Sequence, residues 1–200
     1  MQLIVRLAAA VILGAALSAC LPVVSSSPLG TTVAGSADGR LTGMWKGKVG
    51  TSTNAYLTVY PPHEGTVKIV LLAPPAADDE GSWMIFEART ITLGSNSYLD
   101  ARVVDDGGKP PDAKLAHMPV LYRVTGNGSL VLYLIDEVAA RKAIATGTIA
   151  GTIEPGDFGD VTLTAEPAAL DAFFASDAGR ALFTKPLGIL QRVNPSADSG

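Results

Sequence analysis

Val120-Leu-Tyr-Arg-Val-Thr125 and Ser129-Leu-Val-Leu-Tyr-Leu-Ile135, joined by Gly126-Asn127-Gly128, form the stretch whose reading decides the fold. Two runs rich in Val, Leu and Tyr flank an Asn-Gly turn. Asn and Gly both tolerate positive φ, and the resulting tight turn has a twist that suits paired strands. The segment therefore reads as an antiparallel hairpin.

Upstream the same period of two recurs. Strands are expected at Leu41–Val49, Tyr56–Tyr60, Val67–Leu72, Trp83–Leu93 and Tyr98–Val104. Turns fall at the Gly/Thr/Ser/Asn stretch after Val49, at Pro61-Pro-His-Glu-Gly65, and at Gly94–Ser97. Asp105–Pro119 is a polar excursion. Downstream, Asp136 caps a helix through Ala145, with Glu137 and Arg141 spaced i,i+4 and Gly147 as its stop. Short strands follow at Thr148–Ile153 and Val161–Thr164. Pro167 opens a second helix, in which Leu170, Phe173 and Phe174 share one face, and Ser176 caps a further turn. Leu187–Val193 reads as the last strand. The fold class is thus mainly β (a β-rich α+β chain): an antiparallel sheet closed or partly closed into a barrel, with two or three short helices near the C-terminus.

Composition narrows the function. The chain has 200 residues, 48% hydrophobic and 17% charged, with a formal net charge of −4. Arg6 is the only charged side chain before Cys20, so the chain from Cys20 onward is one charge more acidic still. An acidic chain without a basic stripe excludes nucleic acid as a partner. A single cysteine excludes an internal disulfide framework, and two histidines leave little for a metal site.

The N-terminus reads as an export signal. Arg6 precedes an apolar run, Leu7–Leu17, of 11 residues, whereas spanning a bilayer takes about 20. Leu17-Ser18-Ala19-Cys20 resembles the bacterial lipobox. The resemblance implies a signal peptide over residues 1–19, cleavage before Cys20, and a diacylglycerol, with palmitate-like acyl chains, on the Cys20 thiol. Two or three such chains anchor a protein stably. Leu21 follows the cysteine in place of the aspartate that resembles an inner-membrane retention signal, so residence in the outer membrane, facing the periplasm, is implied. Residues 20–39 are then expected to form the lipidated N-terminus and a flexible tether. From Leu21 to Gly39 there is no aromatic or basic residue, and eleven of the 19 are Ser, Thr, Gly or Pro. Such a coil would hold a single globular domain, residues 40–195, on the order of 25 Å from the membrane.

Two further resemblances bear on the domain. The C-terminal half, with Leu132-Tyr-Leu-Ile-Asp-Glu137, Ala143-Ile-Ala-Thr-Gly147 and Leu170-Asp-Ala-Phe-Phe-Ala-Ser176, looks like a group of uncharacterised proteobacterial lipoproteins. Gly43-Met44-Trp45 is similar to the Gly-x-Trp opening of lipocalins. That similarity implies a lipocalin-like barrel in which an arginine near the C-terminus lies over the tryptophan. Arg192 is the only arginine on the final strand, so Trp45 and Arg192 are the expected structural pair.

Candidate catalytic groups are few. His63 lies in a turn and His117 in a loop, and no Gly-x-Ser-x-Gly elbow occurs, so no catalytic residue is assigned. Asp78-Asp-Glu80, Asp105-Asp106 and Asp157/Asp160 carry oxygen ligands without a calcium-loop spacing, so no metal and no cofactor is assigned. Trp45, Tyr56, Tyr60, Trp83, Phe86, Tyr98, Tyr122 and Tyr133 either line a barrel cavity for an apolar ligand or pack a core. Arginines and lysines are spread evenly. The sequence implies a non-catalytic binding or structural module of the cell envelope. Its expected partners are the membrane, through Cys20, and an apolar small molecule or an envelope protein. The alternative is an envelope hydrolase that uses carboxylates of the acidic loops.

Overall fold

The computed structural model describes residues 22–32, 38–50, 52–75, 81–110, 117–156 and 159–193. A two-residue strand, β1 (Val24–Ser25), comes first. After a single 3-10 turn (Gly39–Leu41) the alternating segments give β2 (Gly43–Val49), β3 (Ser52–Val59), β4 (Thr66–Ala73), β5 (Ser82–Leu93), β6 (Asn96–Asp106), β7 (Met118–Val124) and β8 (Ser129–Tyr133). Each pairs antiparallel with the next. Several boundaries differ from the expectation: β6 extends over Asn96–Asp106 and β7 starts at Met118, both reaching into the expected polar excursion, β8 ends at Tyr133, and the strand expected from Thr148 starts only at Gly151. Leu41 belongs to the 3-10 turn, and β3 starts at Ser52 because Gly50 reverses the chain in a left-handed conformation (φ 57°).

After β8 the chain leaves the wall. It forms α1 (Glu137–Ala145), β9 (Gly151–Ile153), β10 (Val161–Leu163), α2 (Pro167–Ala175) and α3 (Asp177–Arg180), and then returns as β11 (Pro186–Arg192). The returning strand fits between β8 and β2 and closes an eight-stranded barrel. At this seam Trp45 pairs with Arg192, Val49 with Gly188, and Leu190 with Leu130 on the other side.

Local chemistry explains the helices. Asp136 accepts the Ala139 N–H at 3.0 Å and the Thr184 hydroxyl at 2.7 Å, so it caps α1 and ties it to the chain entering β11. These bonds, Thr184's first, hold the Asp136 carboxyl below its ordinary pKa. Pro167 starts α2, where its missing N–H costs nothing.

The barrel wall separates two cores. The inner one contains Trp45, Leu57, Ile69, Ala88, Leu99, Leu130 and Leu190. The outer one lies on the opposite side of β5–β8, beneath the helices and the small β1–β10–β9 sheet. Tyr98 anchors it, with ring centroids 5.6 Å from Phe174 and 5.7 Å from Phe183, and its hydroxyl donates to the Phe174 carbonyl at 2.9 Å. Burial pushes the Tyr98 phenol up to about 12.

The expectation of a flexible tether is corrected for residues 22–32, which pack on the barrel. Val23, Val24 and Leu29 are 4%, 7% and 0% exposed. Because strand side chains alternate, Val23 enters the outer core and Val24 the inner one. Gly30 runs at φ 76° against Ile91, where a Cβ would approach to 2.6 Å. The buried Asp171 on α2 accepts the Gly30 N–H at 2.6 Å, the Thr32 N–H at 2.9 Å and the Thr32 hydroxyl at 2.7 Å. Composition measures how few apolar residues a segment carries. It does not show that each of them has a socket.

Candidate functional site

One end of the barrel is sealed by residues near the start and finish of the domain. Trp45 is fully buried and donates through Nε1 to the Leu41 carbonyl at 2.8 Å. Arg192 lies over it, with its guanidinium carbon 4.2 Å from the ring centroid. Its Nη1 donates to the Thr42 carbonyl at 2.6 Å, and its Nη2 to the Arg40 carbonyl. Gly43 is needed for this path: it sits at φ 128°, and a Cβ there would meet Arg192 Nη1 at 2.6 Å. Asp38 accepts from Arg40 at 2.7 Å and from the Tyr122 hydroxyl at 3.0 Å. The Arg40 guanidinium, first among the causes, holds the Asp38 carboxyl below its ordinary pKa. Burial, with Asp38 beside it, raises that of Tyr122.

The strand registers decide between the two readings of the aromatic set. Trp45, Phe86 and Tyr122 share the inner face with Leu57, Val103 and Leu132. Tyr56, Tyr60, Trp83, Tyr98 and Tyr133 lie on the outer face, in register with Lys46, Leu72 and Leu121 among others. The aromatics therefore do not line one chamber. They are shared between an inner core, an outer core and solvent.

The clefts lie outside the barrel. One of about 480 Å3 runs between α3 and the outer faces of β7 and β8, lined by Leu121, Arg123, Tyr133, Asp177, Arg180 and Phe183. A hollow of about 390 Å3 adjoins it and shares Leu121, Arg123 and Arg180, adding Arg40, Asn96, Ser97 and Thr125. Arg123 points outward from β7 because Tyr122 and Val124 point in, and its guanidinium carbon lies 5.8 Å from the Tyr133 ring centroid. Arg180 closes a single helical turn whose first turn is capped by Ser176, the Ser176 Oγ accepting the Gly179 N–H at 3.2 Å. Among the described residues neither Arg123 nor Arg180 forms an ion pair. The cleft is thus lined by two arginines and by Asp177 together with Leu121, Phe183 and Tyr133.

A second polar group sits on the outer face of β6. His117 Nδ1 lies 3.0 and 3.1 Å from the two carboxylate oxygens of Asp100, which is 6% exposed. Burial pushes the Asp100 carboxyl above its ordinary pKa, while His117, the Leu29 N–H and Arg89 pull the other way. The pair borders a recess of about 150 Å3 beneath Pro28. The His117 carbonyl accepts the Ser25 N–H at 2.8 Å, so this corner also holds the N-terminal segment.

His63 lies elsewhere, exposed, closing its turn by a backbone bond to Thr66. Asp105 accepts the Gly108 N–H at 2.7 Å in the turn after β6. Asp78–Glu80 and Asp157 lie outside the described residues, as do Cys20 and the segment before it. Among the described residues no three His, Cys, Asp or Glu side chains are grouped to hold a metal, and no helix is long and apolar enough to cross a membrane.

Sequence reasoning missed Arg123 and Arg180, because evenly spaced cations give no hint of which two will face one cleft. It also missed the Asp100–His117 pair, which β6–β7 register brings together. The fold and cleft define a class: an eight-stranded antiparallel barrel with a core of buried side chains and an external cleft lined by two arginines. No family model, no curated protein and no solved structure matches the chain.

Proposed function

We propose that this chain is a cell-envelope lipoprotein, anchored by acyl chains on Cys20 in the outer membrane and facing the periplasm, whose barrel is a binding module and not an enzyme. Its ligand is an anionic amphiphile held in the Arg123–Arg180 cleft. One observation carries the reading of the ligand: two arginines, unpaired among the described residues, line one cleft with Leu121, Phe183 and Tyr133, against a single carboxylate, Asp177. Guanidinium groups bind carboxylate or phosphate with charge-assisted bonds, and the apolar side chains beside them accept a chain. The Leu17–Cys20 box supports the anchor.

The test is calorimetric titration of the detergent-solubilised full chain with short-chain phosphatidic acid and, in parallel, with phosphatidylcholine of the same chain length. The acid binds and the zwitterion binds at least tenfold more weakly. Arg123→Ala and Arg180→Ala each weaken the acid by about tenfold, the loss of one charge-assisted hydrogen bond. Equal affinity for both lipids, or indifference to both substitutions, would remove the cleft from the proposal.

A further inference from the structure

Only Leu21 separates Cys20 from the first described residue, Pro22. Consecutive Cα atoms are ~3.8 Å apart, so the Cys20 Cα lies within about 7.6 Å of that of Pro22. From Pro22 onward the chain is held closely. Val23 and Val24 are buried in separate cores, the Ser25 N–H donates to the His117 carbonyl at 2.8 Å, and the Ser26 N–H donates to the Leu163 carbonyl at 2.9 Å. Four and six residues further on, Gly30 and Thr32 donate three bonds to Asp171.

The registers say which edge of the molecule lies beside Pro22. β1 runs parallel to β10, with Val24 opposite Thr162 and Ser25 opposite Leu163. The start of β1 is therefore at the Val161 end of β10. Val161 pairs with Ile153 on β9, and Ile153 is 37% exposed. Glu154 and Asp160 continue this edge, joined by a backbone bond of 2.9 Å, and the Arg141 guanidinium reaches the Gly159 carbonyl beside them.

Resting on the reading of Cys20 as the lipidated residue, we infer that the domain is seated on the bilayer by the Ile153–Val161 edge of its small sheet and does not swing on a long tether. The acyl chains leave the protein two positions before Pro22, and from Val23 onward the chain is buried in both cores, so the nearest edge has little room to move away. Acidic Glu154 and Asp160 lie on that edge with Arg141. Chain length imposes the seating, not attraction to anionic headgroups, and it is insensitive to salt.

The experiment uses the full-length lipidated chain in phosphatidylcholine vesicles, with a nitroxide at Ile153→Cys or at Met44→Cys, the latter on the exposed outer face of β2. Mass spectrometry of the same preparations comes first. Absence of acyl groups on Cys20 overturns the anchor reading itself, whatever the labels report. With the lipid present, the label at 153 gains access to dissolved oxygen and loses access to an aqueous nickel complex, whereas the label at 44 behaves as in solvent, at low and high salt alike. Equal accessibility at the two positions overturns the seating while leaving the anchor intact. Inserting about ten Gly/Ser residues between Leu21 and Pro22, which adds a coil of about 17 Å, abolishes the difference between the labels without changing the circular dichroism of the barrel. A difference that survives the insertion also overturns the inference, since seating would then come from surface attraction.

Discussion

The inner core and the outer core share one wall, yet they are written differently in the sequence. Strands β2 and β4 face solvent on one side, and their burial alternates, as Trp45 between exposed Met44 and Lys46 shows. Their uncovered face carries the cross-strand row Lys46, Tyr56, Leu72 and Trp83, with the Lys46 ammonium 5.3 Å from the Tyr56 ring centroid. The first halves of β6 and β7 are covered on both sides, and burial runs unbroken from Met118 through Tyr122. A strand with two buried faces has no polar face to keep, so alternation gives way to an apolar run. The inner core is built mostly from strands that follow one another, closed by Leu190 of β11, whereas the outer one joins Tyr98 to Phe174, and Gly30 to Asp171, across long stretches of chain.

That contrast is best broken at its two largest anchors. Trp45→Ala and Phe174→Ala each cost about 3–5 kcal/mol, as expected for emptying the site of a large buried ring. The two losses differ in kind. Native-state hydrogen exchange on the Phe174 variant shows α2 and β10 amides losing protection while β3 and β4 keep theirs, and the Trp45 variant loses protection throughout the barrel. Uniform loss in both variants would mean that the two cores unfold as one unit.

Alkali sharpens the comparison at a smaller magnitude. Tyr98, in the outer core, titrates at about 12 when folded and at 10.0 when unfolded. A phenol whose folded pKa is raised contributes fully below pH 10, and the contribution is lost as pH rises from 10 to 12, by up to about 3 kcal/mol. Tyr122, beside the inner core, is raised as well and adds to the same slope. Urea midpoints measured from pH 9 to 12 fall steeply for the natural chain and less steeply for Tyr98→Phe. An unchanged slope in that variant would assign the effect to Tyr122 alone.

The smallest effect belongs to the seam. Arg192 is exposed apart from its contact with the indole, so a double-mutant cycle pairing Arg192→Ala with Trp45→Phe gives a coupling of about 0.5–1 kcal/mol. Losses that simply add would reduce Arg192 to a ligand of the Arg40 and Thr42 carbonyls.

Much of the wall was legible in the sequence. The Gly126–Gly128 hairpin, the Asp136 and Ser176 caps and the Pro167 helix start each rest on local chemistry, and each lies where that chemistry puts it. What local chemistry does not encode is which distant residues will share a surface. Leu29 sits between Pro28 and Gly30 in a Ser-rich stretch, and only a groove completed by Ile91 and α2 makes it a core residue. The same holds for the cleft, since Arg123 is set by the alternation of β7 and Arg180 by a helix from the excursion.

The strand that seals the barrel is also the last of the described strands to be made. Until residues 186–192 have emerged, β8 and β2 present bare edges, each a template for pairing with another chain. Trp45 waits for Arg192 through nearly the whole synthesis of the domain, so ring closure is the most non-local event in folding and its slowest expected step. A chain released short of Pro186 would carry every residue of the hairpin and cleft described above and still be an open, self-adhesive sheet.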